Sequence, residues 1–297
     1  MTTSAVFDFT EMPSRDNGIG RYEEHEYEPI NDTNLNSPGD IRIDIEQQEL
    51  FTLPSKAYLL FEGQLVKADG TAYANADAVA LTNNGLMHLF SRITYQLSNQ
   101  EIEAVYYPSQ ATTMLGMLNY ANDFQLTQGL HQLWYKDYGS TAVFNNNQGF
   151  GIRQAYIIQK PTIKGTFSFW VPVRHIFGFC DDYDKVIYEL KHAITLVRQS
   201  DDNAIFRLAA AAAGKVNLNK VSLFLPNLIT ADTEIKKSTE IPRYIIVGLQ
   251  TNKANSDQTV NASIFDHCDL KNMYIFPDNN DRYLAVDYNL SFPNQQT

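Results

Sequence analysis

The sequence holds 297 residues and 33.7 kDa, enough for one large domain or two of ordinary size. With 44% apolar and only 19% charged residues it can bury a core, which excludes wholesale disorder. Two cysteines cannot build a disulfide scaffold, and a net charge of −11 argues against a binder that works by neutralising phosphates.

The longest apolar run, residues 208–213, is far too short to span a bilayer. The chain does not open on a basic stretch followed by an apolar one, so no signal peptide is expected. The expectation is a soluble protein, intracellular or released by lysis.

The charge is uneven. Residues 1–50 carry twelve acidic side chains against Arg15, Arg21 and Arg42, so nearly all of the net charge lies there. Gly, Pro and Asn are scattered through the same stretch. Together these features predict an extended acidic arm over residues 1–40 in place of a packed element. Phe7, Phe9, Tyr22 and Tyr27 would suit docking on a neighbouring subunit. A solvated tail without a partner is the plainer reading. On either view the arm should be removable without loss of the fold.

Beyond the arm the apolar period is two. Ile41, Ile43 and Ile45 alternate with Arg42, Asp44 and Glu46, which predicts a half-buried strand. Residues 57–66 read as a second strand, with a bend at Glu62 and Gly63. Leu89, Ile93, Tyr95 and Leu97 share one face opposite Arg92, Thr94 and Gln96. Ser98, Asn99 and Gln100 then turn that strand into residues 101–105, a hairpin. Further strands are predicted at 155–159, 166–171, 193–198, 216–225, 244–250, 270–276 and 283–290.

Helices are few and short. Ser109, after Pro108, is placed to cap a helix with Ala111, Met114, Leu115 and Leu118 on one face. Residues 181–190 open on Asp181, Asp182 and Asp184, which a helix N-terminus favours, with Tyr183, Val186, Ile187 and Leu190 at helical spacing. Residues 208–213 are predicted helical and closed by Gly214. The fold class is mainly β, built of antiparallel sandwiches, not a doubly wound sheet.

The search for chemistry yields no catalytic, cofactor-binding or metal site. The histidines, His25, His88, His131, His175, His192 and His267, form no i, i+4 pair and no His-x-Glu motif. His267 and Cys268 are adjacent but lack a second ligand pair. Cys180 and His175 could pose as nucleophile and base, yet no strained elbow accompanies them and a buried neutral thiol reads better. Gly18, Ile19 and Gly20 lack the Lys and Ser/Thr of a phosphate loop.

Asp181, Asp182 and Asp184 read as a helix start before they read as a cation site. The glycosylation patterns at Asn31, Asn261 and Asn289 mean little without a secretory route. Trp134, Trp170 and seventeen tyrosines could form a sugar platform, but core and subunit contacts use such residues more often. An enzyme is disfavoured.

Three runs carry a resemblance. FSRITYQLSNQEIEAVYYPSQATTMLGMLNY, residues 90–120, resembles the double jelly-roll major capsid proteins of DNA viruses. GTFSFWVPVRHIFGFCDDYDKVIYELKHAITLVRQSDDNAIFR, residues 165–207, is similar to the capsid proteins of Polinton (Maverick) elements and adintovirus-like relatives. PRYIIVGLQTN, SIFDHCDLKNMYIF and AVDYNLSFPNQ, within residues 242–295, resemble their second jelly roll.

The resemblance implies two successive jelly-roll sandwiches. An acidic arm at 1–40 would precede the first at 41–207. A helical Ala-rich connector at 208–215 would lead to the second at 216–297, which is expected to be incomplete because it offers only four strands. A fragment or a decayed or repurposed copy would explain the shortfall. The Asn-rich stretch at 125–149 would be a loop at the tower or a subunit contact.

The implied role is structural: homotrimers tiling an icosahedral shell around double-stranded DNA, in a virion capsid assembled inside the host cell. The implied partners are the chain itself, neighbouring capsomers and minor or penton proteins, without sequence-specific nucleic-acid binding, a membrane span or a cofactor. The alternative is a stand-alone or host-repurposed β-sandwich module that recognises glycan or protein.

Overall fold

Alternation of period two builds two large antiparallel sheets, beside a small pair of Val79–Leu81 with Ile205–Arg207, in the computed structural model, which describes residues 19–30, 34–46, 50–139, 142, 146–230, 248, 249, 258, 261, 265, 268 and 270. The long strands are β1 (Ile19–Tyr27), β2 (Gly39–Ile45), β3 (Tyr58–Lys67), β4 (Phe90–Leu97), β5 (Gln100–Tyr106), β6 (Thr166–Pro172), β7 (His192–Arg198) and β8 (Gly214–Thr230). The larger sheet runs β1-β8-β3-β6, and the two-residue strands Phe51–Thr52 and Ile187–Tyr188 extend it beside β8. The smaller sheet runs β2-β7-β4-β5. Along the chain the strands fall large, small, large, small, small, large, small, large, which is the winding of a jelly roll.

The core lies between the sheets. Ile41, Ile43, Ile45, Ile93, Tyr95, Ile194 and Leu196 point inward from the smaller sheet. Leu59, Phe61, Leu65, Phe167, Phe169, Val171, Leu223 and Leu225 meet them from the larger. In β8 the buried set changes parity, from Val216 and Leu218 to Val221, Leu223 and Leu225, because the register shifts between Leu218 and Lys220. That is a bulge. Gly63 sits opposite it, where any Cβ would strike the Asn217 carbonyl, so β3 runs unbroken where a bend was expected.

The β4–β5 hairpin follows the expectation. Ser98 and Asn99 both take positive φ, 48° and 67°, the geometry of a type I′ turn.

Several expectations are corrected. Residues 155–159 belong to no strand: Gln148–Ile157 is a helix, α2, with Asn147 capping the Phe150 N–H and Phe150, Arg153, Gln154 and Ile157 on its buried side. Helix α1 (Pro108–Asn119) forms, but Tyr107 precedes it in the left-handed region and Ser109 caps nothing. Its buried face is Ser109, Thr112, Thr113 and Gly116, while Leu118 is 68% exposed. The predicted helix at 181–190 shrinks to α3 (Gly178–Asp182), because Tyr183 turns extended and Ile187 and Tyr188 pair with Thr52 and Phe51.

Residues 208–213 hold no helix: Leu208 donates to Ala78, Ala211 closes a turn on Leu208, and β8 begins at Gly214. β8, in the stretch expected to belong to the second sandwich, is flanked by β1 and β3. The described part of the acidic arm includes β1, paired with β8 from Tyr22↔Leu228 to Tyr27↔Leu223. The Asn-rich stretch carries short 3-10 turns, Phe124–Leu126 and Gln128–Gln132, and buries Leu133, Trp134 and Tyr135. Phe7, Phe9, Asn31, Asn145, His267, Asn289 and nearly all of 231–297, with the strands expected at 244–250, 270–276 and 283–290, lie outside the described residues.

Candidate functional site

The residues that could have carried chemistry are packed, not poised. Cys180 is fully buried in α3, and its burial with Glu103 and Asp181 nearby pushes the thiol up, so it stays protonated at neutral pH. His175 lies against the rings of Tyr120 and Phe124, its Nδ1 3.1 Å from Gln132 Oε1. Burial, aided by Arg174, lowers its pKa to about 4, so the ring is neutral.

His192 is buried between Tyr95 and Thr52, and burial holds it at about 4 too. His25 sits 3.2 Å from Glu23, and His131 stacks on Trp170 with centroids 4.2 Å apart. Asp181 and Asp182 close α3 instead of opening a helix. Glu103, from β5, accepts from the Gly178 and Phe179 N–H groups at 3.0 and 2.8 Å. Gly20 lies in β1, and Cys268 is exposed. Among the described residues no three His, Cys, Asp or Glu side chains come together as a metal site. No described helix is long and apolar enough to cross a membrane.

Surface, then, is what this fold presents. On the outer face of the larger sheet Tyr58, Leu60, Trp170 and Phe224 are half-buried, with exposed Glu24 beside them. They line a shallow recess of about 410 Å³. Tyr58 stacks on Phe224 at 4.9 Å and 6°, and its hydroxyl donates to Glu24 Oε2 at 3.2 Å. A wet sheet face should carry polar residues at these positions. The signal was legible in the unbroken run Tyr58-Leu59-Leu60-Phe61, and in Trp170 interrupting the alternation of Phe169 and Val171.

A second set of contacts ties later residues to the sandwich. Buried Gln258 accepts from Arg207 Nε and the Gly214 N–H, and donates to Asp202 and the Gly214 carbonyl. Asn261 donates to Asp137 Oδ2 at 2.8 Å. Asp137 also receives buried Arg153 at 2.7 Å, and Arg153 donates to the Leu81 and Tyr135 carbonyls. No spacing in the sequence announces these polar anchors, because each joins residues far apart in the chain.

Two antiparallel sheets with this order of strands define a jelly roll. The sequence matches the double jelly roll-like domain over residues 79–238, and the chain belongs to that family. No curated protein matches it.

By fold it is similar to a chain in the 3.5 Å cryo-EM structure of the Sputnik virophage, at 7% identity and TM-score 0.54 over 80% of this chain and 53% of that one. It also aligns with the mavirus major capsid protein, at 15% identity and TM-score 0.42 over 80% of this chain and 53% of that one. The Faustovirus major capsid protein aligns at 10% identity and TM-score 0.40, over 75% and 57%. The chain thus spans about half the length of the solved structures it matches, and at these identities the likeness is one of fold.

Proposed function

We propose that the chain is a structural subunit of a virus particle: a major capsid protein of the Polinton or adintovirus-like kind that self-assembles into an icosahedral shell around double-stranded DNA. The observation that carries the reading is its membership of the double jelly roll-like family, together with a jelly-roll order of strands. In this reading residues 19–230 form that first jelly roll, and a second follows it in the chain. Gln258 and Asn261 then act as pins between the two parts.

A shell block needs rigid walls and contact surfaces, not a reactive centre. Tyr106 and Tyr107, 61% and 65% exposed at the entrance to α1, suit a subunit contact, since tyrosine joins apolar area to a polar tip. Three copies would form a pseudo-hexagonal block, with neighbouring blocks and minor or penton proteins as the other partners, located in the virion capsid.

The experiment is the mass of the purified chain in solution, followed by electron microscopy. A stable trimer, and shells or hexagonal blocks on grids, are the expected results. A monomer that retains glycan would overturn the proposal in favour of a β-sandwich binding module.

A further inference from the structure

The recess on the outer face of the larger sheet pairs an apolar floor with an acidic rim. Cross-strand register sets the floor: Tyr58 stands opposite Phe224, and Leu60 opposite both Ser222 and Trp170. Tyr58 and Trp170 lie 5.2 Å apart and tilted, so the rings form one continuous aromatic surface. Glu24 and Glu26 border it along β1, Glu28 follows just past the end of that strand, and Glu62 lies along β3.

Lys220 is the cation facing these groups among the described residues, and it is already engaged, 2.5 Å from Glu26 and 3.7 Å from Glu28. Hydrogen bonding to Lys220 holds the Glu26 carboxyl below its usual range. Among the described residues Glu24 makes one bond, from the Tyr58 hydroxyl to Oε2, and Oε1 receives no donor from them.

An aromatic floor beside carboxylates favours a flat, weakly hydrated cation over an ammonium or a neutral sugar. Ring faces attract positive charge, and a guanidinium can stack while its edge pairs with a carboxylate. We propose that this recess docks an arginine-bearing extended segment of a partner protein, its guanidinium stacked on Trp170 and Tyr58 and paired with Glu24. The inference rests on the sheet face alone and does not require shell assembly.

The test is fluorescence anisotropy of the full chain with a fluorescein-labelled, end-capped peptide of alternating valine and arginine, at physiological salt. The arginine peptide should bind more tightly than its lysine counterpart, and the citrulline counterpart, which keeps the shape without the charge, should not bind. Glu24→Gln should weaken binding roughly tenfold, a typical loss for one partner of a charged contact. Trp170→Ala should do the same without changing the net charge.

Glu101→Gln, on the opposite sheet, should leave binding unchanged. If Trp170→Ala does not fold, the exposed Glu24→Gln variant decides alone. Affinity indifferent to Glu24→Gln would overturn the proposal. So would self-association that the same variants abolish and the peptide cannot compete, which would assign the face to a second copy of the chain.

Discussion

The Tyr95 hydroxyl lies 2.7 Å from Nδ1 of His192, in the middle of the sandwich. On the other side of the ring, Nε2 is 2.9 Å from Thr52 Oγ1, and Thr52 donates to the Ile187 carbonyl at 3.1 Å. With the Thr52 proton committed to Ile187, its oxygen accepts from Nε2–H, and Tyr95 donates to Nδ1. One neutral tautomer satisfies the whole chain of bonds. Tyr95 and His192 belong to the smaller sheet, while Thr52 and Ile187 sit in the larger. The imidazole is a polar rivet between the two layers.

That rivet predicts acid sensitivity. Burial lowers His192 from 6.5 to about 4, and His175 likewise. Above pH 6.5 both rings are neutral whether the chain is folded or not, and their stabilisation is whole. Between 6.5 and 4 the unfolded chain gains protons that the folded chain refuses, so stability falls through that window. For His192 the total is on the order of 3 kcal/mol. Urea melts at pH 7.5, 6, 5 and 4.5 should show a falling midpoint, and His192→Gln should flatten the trend. A midpoint constant across that range would refute the assignment.

Arg153 and Asp137 form an ion pair with side chains 0% and 2% exposed. Arg153→Met should destabilise by roughly 3–5 kcal/mol, because Asp137 is left as a buried charge without its cation. Pairing that change with Asp137→Leu should recover part of the loss. Equilibrium denaturation of both variants and of Asp137→Leu alone measures it, and losses that simply add would show that the pair is not coupled.

Phe169 stacks on Phe167 with centroids 5.7 Å apart and faces Phe61 across β3. Phe169→Ala should cost about 3–5 kcal/mol by transfer and cavity terms together. An unchanged thermal melt would remove Phe169 from the core.

Phe169 was readable because alternation is local: Phe167, Phe169 and Val171 show their face within five residues. The same rule found β2, β4 and β7, and the turn at Ser98, Asn99 and Gln100 gave β5. It failed where a distant partner decides. Residues 155–159 look apolar enough for a strand, yet they continue a helix whose Arg153 and Gln154 donate to the carbonyls of Leu81 and Asp77. Ile187 and Leu190 fit helical spacing equally well, and pairing with Thr52 settles the matter. β1 has no apolar face at all, with Glu23, Glu24 and Glu26 in its middle, so composition hides a strand held by its ladder. The recess was half legible: its aromatics show in the sequence, but the Glu24 rim exists only through β1.

The acidic leader gives the last prediction, and it reverses the reading from composition. Deleting residues 1–38 removes β1 and its whole ladder to β8. It also removes the Lys220–Glu26 pair and the bond from Asn227 to the Tyr27 hydroxyl. Asn36 goes with them; its side chain accepts from the Leu218 N–H at 2.6 Å and donates to the Leu218 carbonyl at 3.0 Å, acting as a strand partner. The Leu35 carbonyl, which receives buried Arg198, is lost as well.

β8 would then present an unpaired edge over its C-terminal half, a template for pairing with another chain. A dispensable tail would leave the melt untouched. The paired strand instead predicts a melting point lower by on the order of 5 °C or more, with aggregation on heating. Light scattering during a thermal ramp tells the two apart. A shortened chain that melts like the full one, without aggregates, would mean that β1 contributes nothing to the sheet it borders.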